Sequence, residues 1–321
     1  MLPTLAASDL RFQPAPLDED RARVSPRSAF AVRALAALCL VSGAGACAHV
    51  APPSTTQELT VGAWNILHDD RDLPFVVETL AARAPDLVLL SEVTETARVV
   101  LDDGLAPLYP TRVFFDELAL LTRLPVVDVR EHAPVGDGKA QLHATIAVEG
   151  ALIDVALVHF VAPHVDDPTP AGVWQTLDAA ERVHEGELRR AVLGLDDRLP
   201  RLVVGDMNTL PFDGTRARAL RRGYRDVAAE LAAFPASTWR GPLFGVDVPL
   251  RIDYVYVSEE FTPLSLDVTE THASDHALLV ARLALRVPDD QGRARPRAHP
   301  STKGAKKPVS DRGDPARTRS R

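Results

Sequence analysis

In the stretch Arg201-Leu202-Val203-Val204-Gly205-Asp206-Met207-Asn208-Thr209-Leu210-Pro211 an apolar, β-branched run gives way to Gly, then to Asp and Asn two residues apart, then to Pro. Such a run forms a buried strand, and the Pro closes it, so Asp206 and Asn208 are delivered to one face at the strand's exit. A carboxylate beside a carboxamide can hold and activate a water and hydrogen-bond a charged oxygen, a pairing suited to hydrolysis at phosphorus. Taken alone, the segment is equally a strand followed by an Asx-turn.

Other segments end the same way, and that repetition decides between the two. Asn65, Glu92, His159, Asp275 and His276 all fall at the ends of apolar runs or in the loops directly after them. Hard carboxylate and carboxamide oxygens without Cys favour magnesium or manganese, which borrows only one or two protein carboxylates, and Glu92 and Asp275 suit that role. A His hydrogen-bonded to phosphate oxygens would add to the charge stabilisation. In Arg251-Ile252-Asp253-Tyr254-Val255-Tyr256-Val257 the alternation puts Asp253 on the face of Val255 and Val257. A carboxylate on an apolar face is costly unless paired, so Asp253 and His276 are candidates for a pair that fixes the ring's orientation.

The elements that must position these residues follow from pattern. Strands are expected over 59–66, 86–92, 111–115, 118–122, 126–131, 142–148, 152–160, 201–206, 251–257, 264–269 and 278–285. Asp72-Leu73-Pro74 starts a helix, with Val76, Val77 and Leu80 on one side, and a long helix runs from about 173 to 195. His184 lies in the apolar stripe of that long helix and is expected at the edge of the core. A third helix is expected over 214–222, and the stretch around Thr238-Trp239-Arg240-Gly241-Pro242 is expected to be irregular.

The chain has 321 residues, 46% hydrophobic and 25% charged, an ordinary globular composition that supports a sizeable core. Its two cysteines, Cys39 and Cys47, both precede residue 50, so the rest folds without disulfides, thiolate chemistry or a Cys-based zinc site. Within the segment 26–47, Arg27 and Arg33 precede an apolar run over 34–41 and then small residues up to Cys47, the charged, apolar and small order of a secretory signal. The run is too short to span a bilayer as an ordinary helix. Its ending resembles a bacterial lipoprotein signal, with Cys47 as the residue that would be acylated, although Ala44 stands where Leu is preferred. Cleavage after Ala46 or Ala48 is the competing reading. Residues 1–25, with Asp18-Glu19-Asp20, fit no signal, which points to disorder or to a true start downstream near Val24.

Residues 48–58 read as a linker and 59–287 as the catalytic domain. From 288 to 321 the chain has ten Lys and Arg against four Asp and Glu and almost no apolar residue, the composition of a basic disordered tail. The body, 48–287, has 21 basic against 36 acidic residues, which argues against tight, non-specific binding of a polyanion. The expectation is an extracytoplasmic monomer, secreted or attached to an envelope membrane through Cys47.

The ordered set Trp64-Asn65-Ile66, Leu90-Ser91-Glu92, residues 118–125, Val158-His159-Phe160, Gly205-Asp206-Met207-Asn208, Arg251-Ile252-Asp253-Tyr254 and Ser274-Asp275-His276 resembles the endonuclease/exonuclease/phosphatase superfamily over about 59–286. Each motif is short, but seven in the family's order are specific. The resemblance implies an α+β fold, a four-layer α/β/β/α sandwich of two mixed sheets packed face to face, and metal-dependent hydrolysis of a phosphoester by an in-line water. Carried over residue by residue, it implies that Glu92 holds a magnesium or manganese ion with Asn65 and Asp275 close by. Asp206 is then the base, Asn208 positions water or phosphate, His159 and His276 hold phosphate oxygens, and Asp253 braces His276. Arg123, Trp239 and Arg240 are the candidates to touch substrate, against the alternatives that Arg123 simply ends a strand and that Trp239 packs in the fold.

One departure matters: apurinic endonucleases of this group carry an Asp two residues after the first Asn, where this chain has Leu67, which argues against two metals. His68-Asp69-Asp70 just beyond is expected to be a solvated loop. The expected substrate is a phosphodiester in nucleic acid, phospholipid or a small molecule; a phosphomonoesterase and a sphingomyelinase-like lipid hydrolase are alternatives within the class. Outside it stands a non-catalytic envelope binding module of the same fold. A zinc peptidase has little support, because His184-Glu185-Gly186-Glu187-Leu188 lacks the second His of a His-Glu-x-x-His helix.

Overall fold

The computed structural model describes residues 54–288 apart from 70, 71, 168, 212, 232–236, 244 and 245. The expected start at 1–25, the signal-like segment with Cys47, the first part of the linker and the tail beyond Pro288 lie outside the described residues. In chain order the first half gives β1 (Ser54–Asn65), α1 (Leu73–Arg83), β2 (Leu87–Ser91), α2 (Glu95–Leu105), β3 (Thr111–Phe115), β4 (Leu118–Thr122), β5 (Val126–His132), β6 (Gln141–Val148) and β7 (Ala151–His159). There follow α3 (Pro170–Leu193), β8 (Arg201–Asp206), α4 (Gly214–Arg221), β9 (Arg225–Asp226), α5 (Val227–Glu230), β10 (Trp239–Leu243), β11 (Val246–Leu250), β12 (Asp253–Val257), β13 (Phe261–Thr269) and β14 (Leu278–Pro288).

These strands form two mixed six-stranded sheets, ordered β13-β14-β1-β2-β4-β3 and β5-β6-β7-β8-β12-β9, with β10 and β11 as a separate hairpin. Alternation decides which side chains meet. Leu59, Val61, Ala63, Leu87 and Leu89 of the first sheet pack against Leu142, Ile146, Val155, Leu157, Leu202 and Val204 of the second. Between them, Val88, Leu90, Ala119 and Leu121 face outward onto Val76, Leu80, Leu101 and Leu105 of α1 and α2. On the other side Ala156, Val158 and Val203 meet Leu188 and Ala191 of α3 and Ala219 of α4. The result is the expected four-layer sandwich, helices outside and sheets inside, and truncating any of these buried Leu residues to Ala costs about 2–5 kcal/mol.

Three expectations are corrected. β1 starts at Ser54, so the linker boundary at 58 falls inside a strand: Ser54 to Glu58 pair only with β14, in a register from Ser54↔Pro288 to Glu58↔Ala284, and this polar end carries no alternating apolar signal. The helix α2, capped by Thr94, was not expected, because Glu95, Arg98, Asp102, Asp103 and Gly104 dilute the apolar stripe of Ala97, Leu101 and Leu105. The irregular stretch after Thr238 is the hairpin β10–β11, whose Gly241, Pro242 and Pro249 hide the strand period.

One buried ion pair anchors the second sheet at β9 and β12. Asp226 Oδ1 and Oδ2 accept from Arg251 Nη1 at 3.0 Å and Nη2 at 2.8 Å, and Arg216 Nε adds a bond at 3.2 Å. Asp226→Asn leaves the Arg251 charge buried and short of its partner, so a loss of about 3–5 kcal/mol is expected, read as a drop of roughly 6–20 °C in the thermal midpoint. Burial would push Asp226 up, but Arg251 and Arg216 outweigh it and hold the carboxyl below its ordinary value. The pair's contribution is therefore present above the unfolded-state value of about 4 and is lost as pH falls through the lower folded value, so wild type and D226N should converge in acid.

Candidate active site

Strand direction brings the polar ends together. β1 and β2 run parallel with Asn65 opposite Ser91, and β7 and β8 run parallel with His159 opposite Asp206. β12 runs antiparallel to β8 and sets Asp253 opposite Asp206. Each sheet thus ends in polar residues along one edge, and the seam between the two edges is the site. Asn65 Nδ2 crosses it, donating to Glu92 Oε1 at 2.9 Å and to Asp206 Oδ2 at 3.0 Å.

Backbone geometry at the seam is unusual. Six non-Gly residues among those described have positive φ, and Leu67, Glu92, Asp116 and Asn208 are four of them, each in a loop at this edge. Such conformations cost of order 1–3 kcal/mol each and persist only where neighbours hold them. Here hydrogen bonds do so: Asn208 N donates to Asp206 Oδ1 at 2.9 Å, Asn208 Nδ2 donates to Phe160 O at 2.9 Å, and Leu67 N donates to Asn65 Oδ1 at 3.0 Å. At Gly205, φ is +139° and a Cβ would lie 1.9 Å from Val158 O, so only Gly lets β8 run this close to β7 and deliver Asp206 beside His159.

Asp206 stands between two histidines. Its Oδ2 is 3.7 Å from His159 Nε2 and 3.6 Å from His276 Nε2. Each ring is gripped from behind by a carboxylate: His276 Nδ1 is 2.9 Å from Asp253 Oδ2, and His159 Nδ1 is 2.7 Å from Glu117 Oε1. Burial works against charge on both rings, but the carboxylates outweigh it. His276 is pushed up to about 10 by Asp253 and Asp206, and His159 is raised by Glu117 and Asp206. For Asp206 itself, burial and the neighbouring Asp253 raise the carboxyl, against the pull of the two histidines. Glu92 goes the other way: burial is overcome by the Asn65 bond, His159 and His68, and its carboxyl is held below the ordinary glutamate range.

Glu117 and Lys139 were not expected here. Glu117 follows Asp116 in the two-residue turn of the β3–β4 hairpin. Its Oε1 accepts from Lys139 Nζ at 2.6 Å, and Lys139 Nζ lies 3.1 Å from His159 Nδ1. His68, expected in a solvated loop, bridges two carboxylates, with Nδ1 2.7 Å from Glu92 Oε2 and Nε2 3.2 Å from Glu117 Oε2. Only a known strand direction could have placed these charged turn residues.

The 274–276 triplet is tied to the end of β1. Ser274 Oγ donates to Asn65 O at 2.7 Å, and His276 N donates to Ser274 Oγ at 3.0 Å. Trp239 Nε1 donates to Asp275 Oδ2 at 2.9 Å, whereas Asp275 Oδ1 is buried without a hydrogen-bond partner. A cleft of about 210 Å³ opens here, lined by Thr238, Trp239, Arg240, Thr271, Asp275 and His276. The structure therefore brings Trp239 and Arg240 to the site's rim. It does not bring Arg123. β4 is antiparallel to β2, with Leu87 opposite Thr122, so Arg123 returns to the start of β2, where it pairs with Asp86 at 2.8 Å, at the opposite end of that strand from Glu92. The expected substrate contact for Arg123 is corrected accordingly.

Among the described residues, Asp206, Asp253 and His276 also offer ligand atoms within 4.8 Å of one another. Within this triple His276 Nδ1 and Asp253 Oδ2 are bonded to each other at 2.9 Å, while Asp206 Oδ2 stands 3.6 Å from His276 Nε2, so Asp253 orients the ring and the ring faces Asp206. The better oxygen donors are the anionic Glu92 and the unpartnered Asp275 Oδ1, hard ligands that fit a hard divalent cation.

A four-layer sandwich whose two sheets end in carboxylates, a carboxamide and braced histidines is the architecture of deoxyribonuclease I-like phosphoesterases. The chain belongs to the endonuclease/exonuclease/phosphatase family, whose model matches residues 62–276. This superfamily generally hydrolyses phosphoester bonds and is typically dependent on divalent metals. Similar solved structures include an endonuclease/exonuclease/phosphatase from Beutenbergia cavernae, 21% identical, covering 71% of this chain and 72% of that one, with a TM-score of 0.54. Another is TDP2 from D. rerio complexed with single-strand DNA product, 16% identical over 70% of this chain and 98% of that one, with a TM-score of 0.53. The human Nocturnin catalytic domain with bound sulfate anion is 18% identical over 74% and 99%, with a TM-score of 0.53. No curated protein matches the sequence.

Proposed function

We propose that this chain is a divalent-metal-dependent phosphodiesterase in which Asp206 activates the attacking water. The observation that carries this reading is the placement of Asp206 Oδ2 between two carboxylate-braced histidines, 3.7 Å from His159 and 3.6 Å from His276. Two imidazoles, each held toward its charged form by a carboxylate and converging on the edge of another, suit a site for phosphate oxygens beside a base. Asp206, raised by burial and Asp253, takes the proton from water. Asn208 orients that water, and His159 and His276 hold the non-bridging oxygens as charge builds on them.

Glu92, with Asn65 and Asp275, would hold a magnesium or manganese ion, which offsets negative charge on the phosphate. Trp239 and Arg240 line the cleft beside His276 and contact the group esterified to the phosphate. A diester is favoured over a monoester because the cleft extends from His276 and Asp275 along Trp239 and Arg240, room for a group beyond the phosphate, and because TDP2, a fold neighbour, was captured with a DNA product. The signal-like segment supports an extracytoplasmic site of action, with Cys47 as the anchor.

The test is turnover of bis-p-nitrophenyl phosphate, DNA and sphingomyelin by the full chain, with and without EDTA. Hydrolysis of at least one, lost with EDTA and restored by magnesium or manganese, is expected. No metal-dependent turnover of any of the three would overturn the proposal.

A further inference from the structure

The stretch His184-Glu185-Gly186-Glu187-Leu188, set aside above as an incomplete zinc motif, has another use. His184, Glu187 and Arg190 stand at i, i+3 and i+6 on one side of α3, so they share a face. All three turn toward backbone. Glu187, only 3% exposed, accepts from Lys139 N through Oε1 at 2.8 Å and from Val161 N through Oε2 at 3.2 Å. His184 Nε2 lies 2.7 Å from Val161 O; a carbonyl only accepts, so this nitrogen carries the proton and donates. Arg190 Nη2 donates to Lys139 O.

Both polar backbone groups of Val161 and both of Lys139 are therefore held by one helix. Val161 is two residues past His159, and Lys139 puts its Nζ against the His159 ring and Glu117. Gln141 Nε2, at the head of β6, closes the clamp by donating to Glu187 O at 2.8 Å, and Phe160 stacks on the His184 ring with centroids 5.8 Å apart. A helix that needed only packing would use apolar residues at these positions, since a buried carboxylate must recover its lost hydration through hydrogen bonds. Here it recovers them from the two segments that flank the phosphate-facing histidine.

We infer that the His184–Glu187–Arg190 stripe of α3 is a positioning device, and Glu187 its central positioning residue, fixing where His159 and Lys139 stand in the site. Glu187 touches neither substrate nor reacting atoms. It acts through the Lys139 and Val161 amides, and a shift of about 1 Å in a group that stabilises a transition state is enough for a loss of about 10²-fold.

The kinetic half of the test rests on the phosphoesterase reading; a second readout does not. In the full chain, Glu187→Met removes both acceptors at constant length, and Glu187→Gln keeps one. Leu188→Ala, a core truncation on the same helix, serves as the control for plain destabilisation. Glu187→Met is expected to lower kcat for bis-p-nitrophenyl phosphate about 10- to 100-fold with KM changed less than about threefold, and E187Q to fall between it and wild type. In histidine-labelled protein the imidazole resonances of His159, assigned by their loss in His159→Gln, should move in E187M while those of His276 stay in place. Leu188→Ala should lower the melting temperature and leave both kcat and the His159 resonances as in wild type. A folded E187M with wild-type kcat and unmoved His159 resonances would overturn the inference, and so would an equal loss in L188A. If wild type turns over no phosphoester, the phosphoesterase reading fails while the resonances still decide this one. Should E187M not fold, E187Q decides by the same comparison.

Discussion

Asp206→Asn is expected to lower kcat by about 10²–10⁴-fold, the range that a positioned general base supplies, while leaving the protein folded. An amide cannot take the proton from water. The carboxylates bonded to the site's histidines and to Asn65 are committed elsewhere: Asp253 to His276, Glu117 to His159 and Lys139, and Glu92 to Asn65 and His68; Asp275, whose Oδ2 is held by Trp239, is assigned to the cation. The substitution is nearly isosteric: Asn can keep the bond that Asp206 Oδ1 accepts from the Asn208 amide and gives up the one that Oδ2 accepts from Asn65 Nδ2.

Stability should move in the opposite direction from activity. Burial and Asp253 raise the Asp206 carboxyl, so its ionised form opposes folding at neutral pH: the contribution of a raised carboxyl is complete below its unfolded value and is lost as pH rises through the folded one. Asp206→Asn removes that charge and should melt at or above the wild-type temperature at pH 7, the usual cost of holding a functional group where it is not stable. Calorimetry and single-turnover assays on the same preparation check both halves. A mutant within about threefold of wild-type kcat would end the assignment of Asp206 as base, and a folded but inactive one with a raised melting temperature would support it strongly.

Much of this site is legible in the chain because the strands that lead into it, β2, β7, β8 and β12, are buried on both faces. A polar residue ending such a strand stands out against its own run, which is why Asn65, His159 and Asp206 are visible from residue type and position alone. The layered architecture came from the family resemblance that the motif order carries. What does not show is strand direction. Glu117 and Lys139 are ordinary charged turn residues until β4 is known to run antiparallel to β2 and β6 antiparallel to β7, which returns both turns to the edge where His159 ends. The same blindness misplaced Arg123, which follows β4 and so stands at the other end of that strand from Glu117. Glu187 was hidden differently: its partners are backbone amides of residues 139 and 161, and backbone groups leave no trace in residue type.

The second large effect is expected at Asp253, and it separates a hydrogen bond from a charge. Asp253 is 2% exposed and has its own amide and that of Ile252 donating to Thr238 Oγ1 at 3.0 Å, so its position at the head of β12 is fixed independently of His276. Asp253→Asn keeps an oxygen that can accept from His276 Nδ1 but removes the carboxylate that, with Asp206, holds the ring up at about 10. The ring should then lose its proton far closer to neutrality, seen as an imidazole titration in labelled protein at a pH where the wild-type ring stays charged. Losing a cation aimed at the developing phosphate charge should lower kcat about 10²–10³-fold. Combined with Asp206→Asn, the two losses should fall well short of multiplying, because both carboxylates act on the same ring and a double-mutant cycle exposes such sharing as coupling. Full multiplication of the two effects would mean that Asp206 and Asp253 contribute independently, and their joint action on His276 would have to be abandoned.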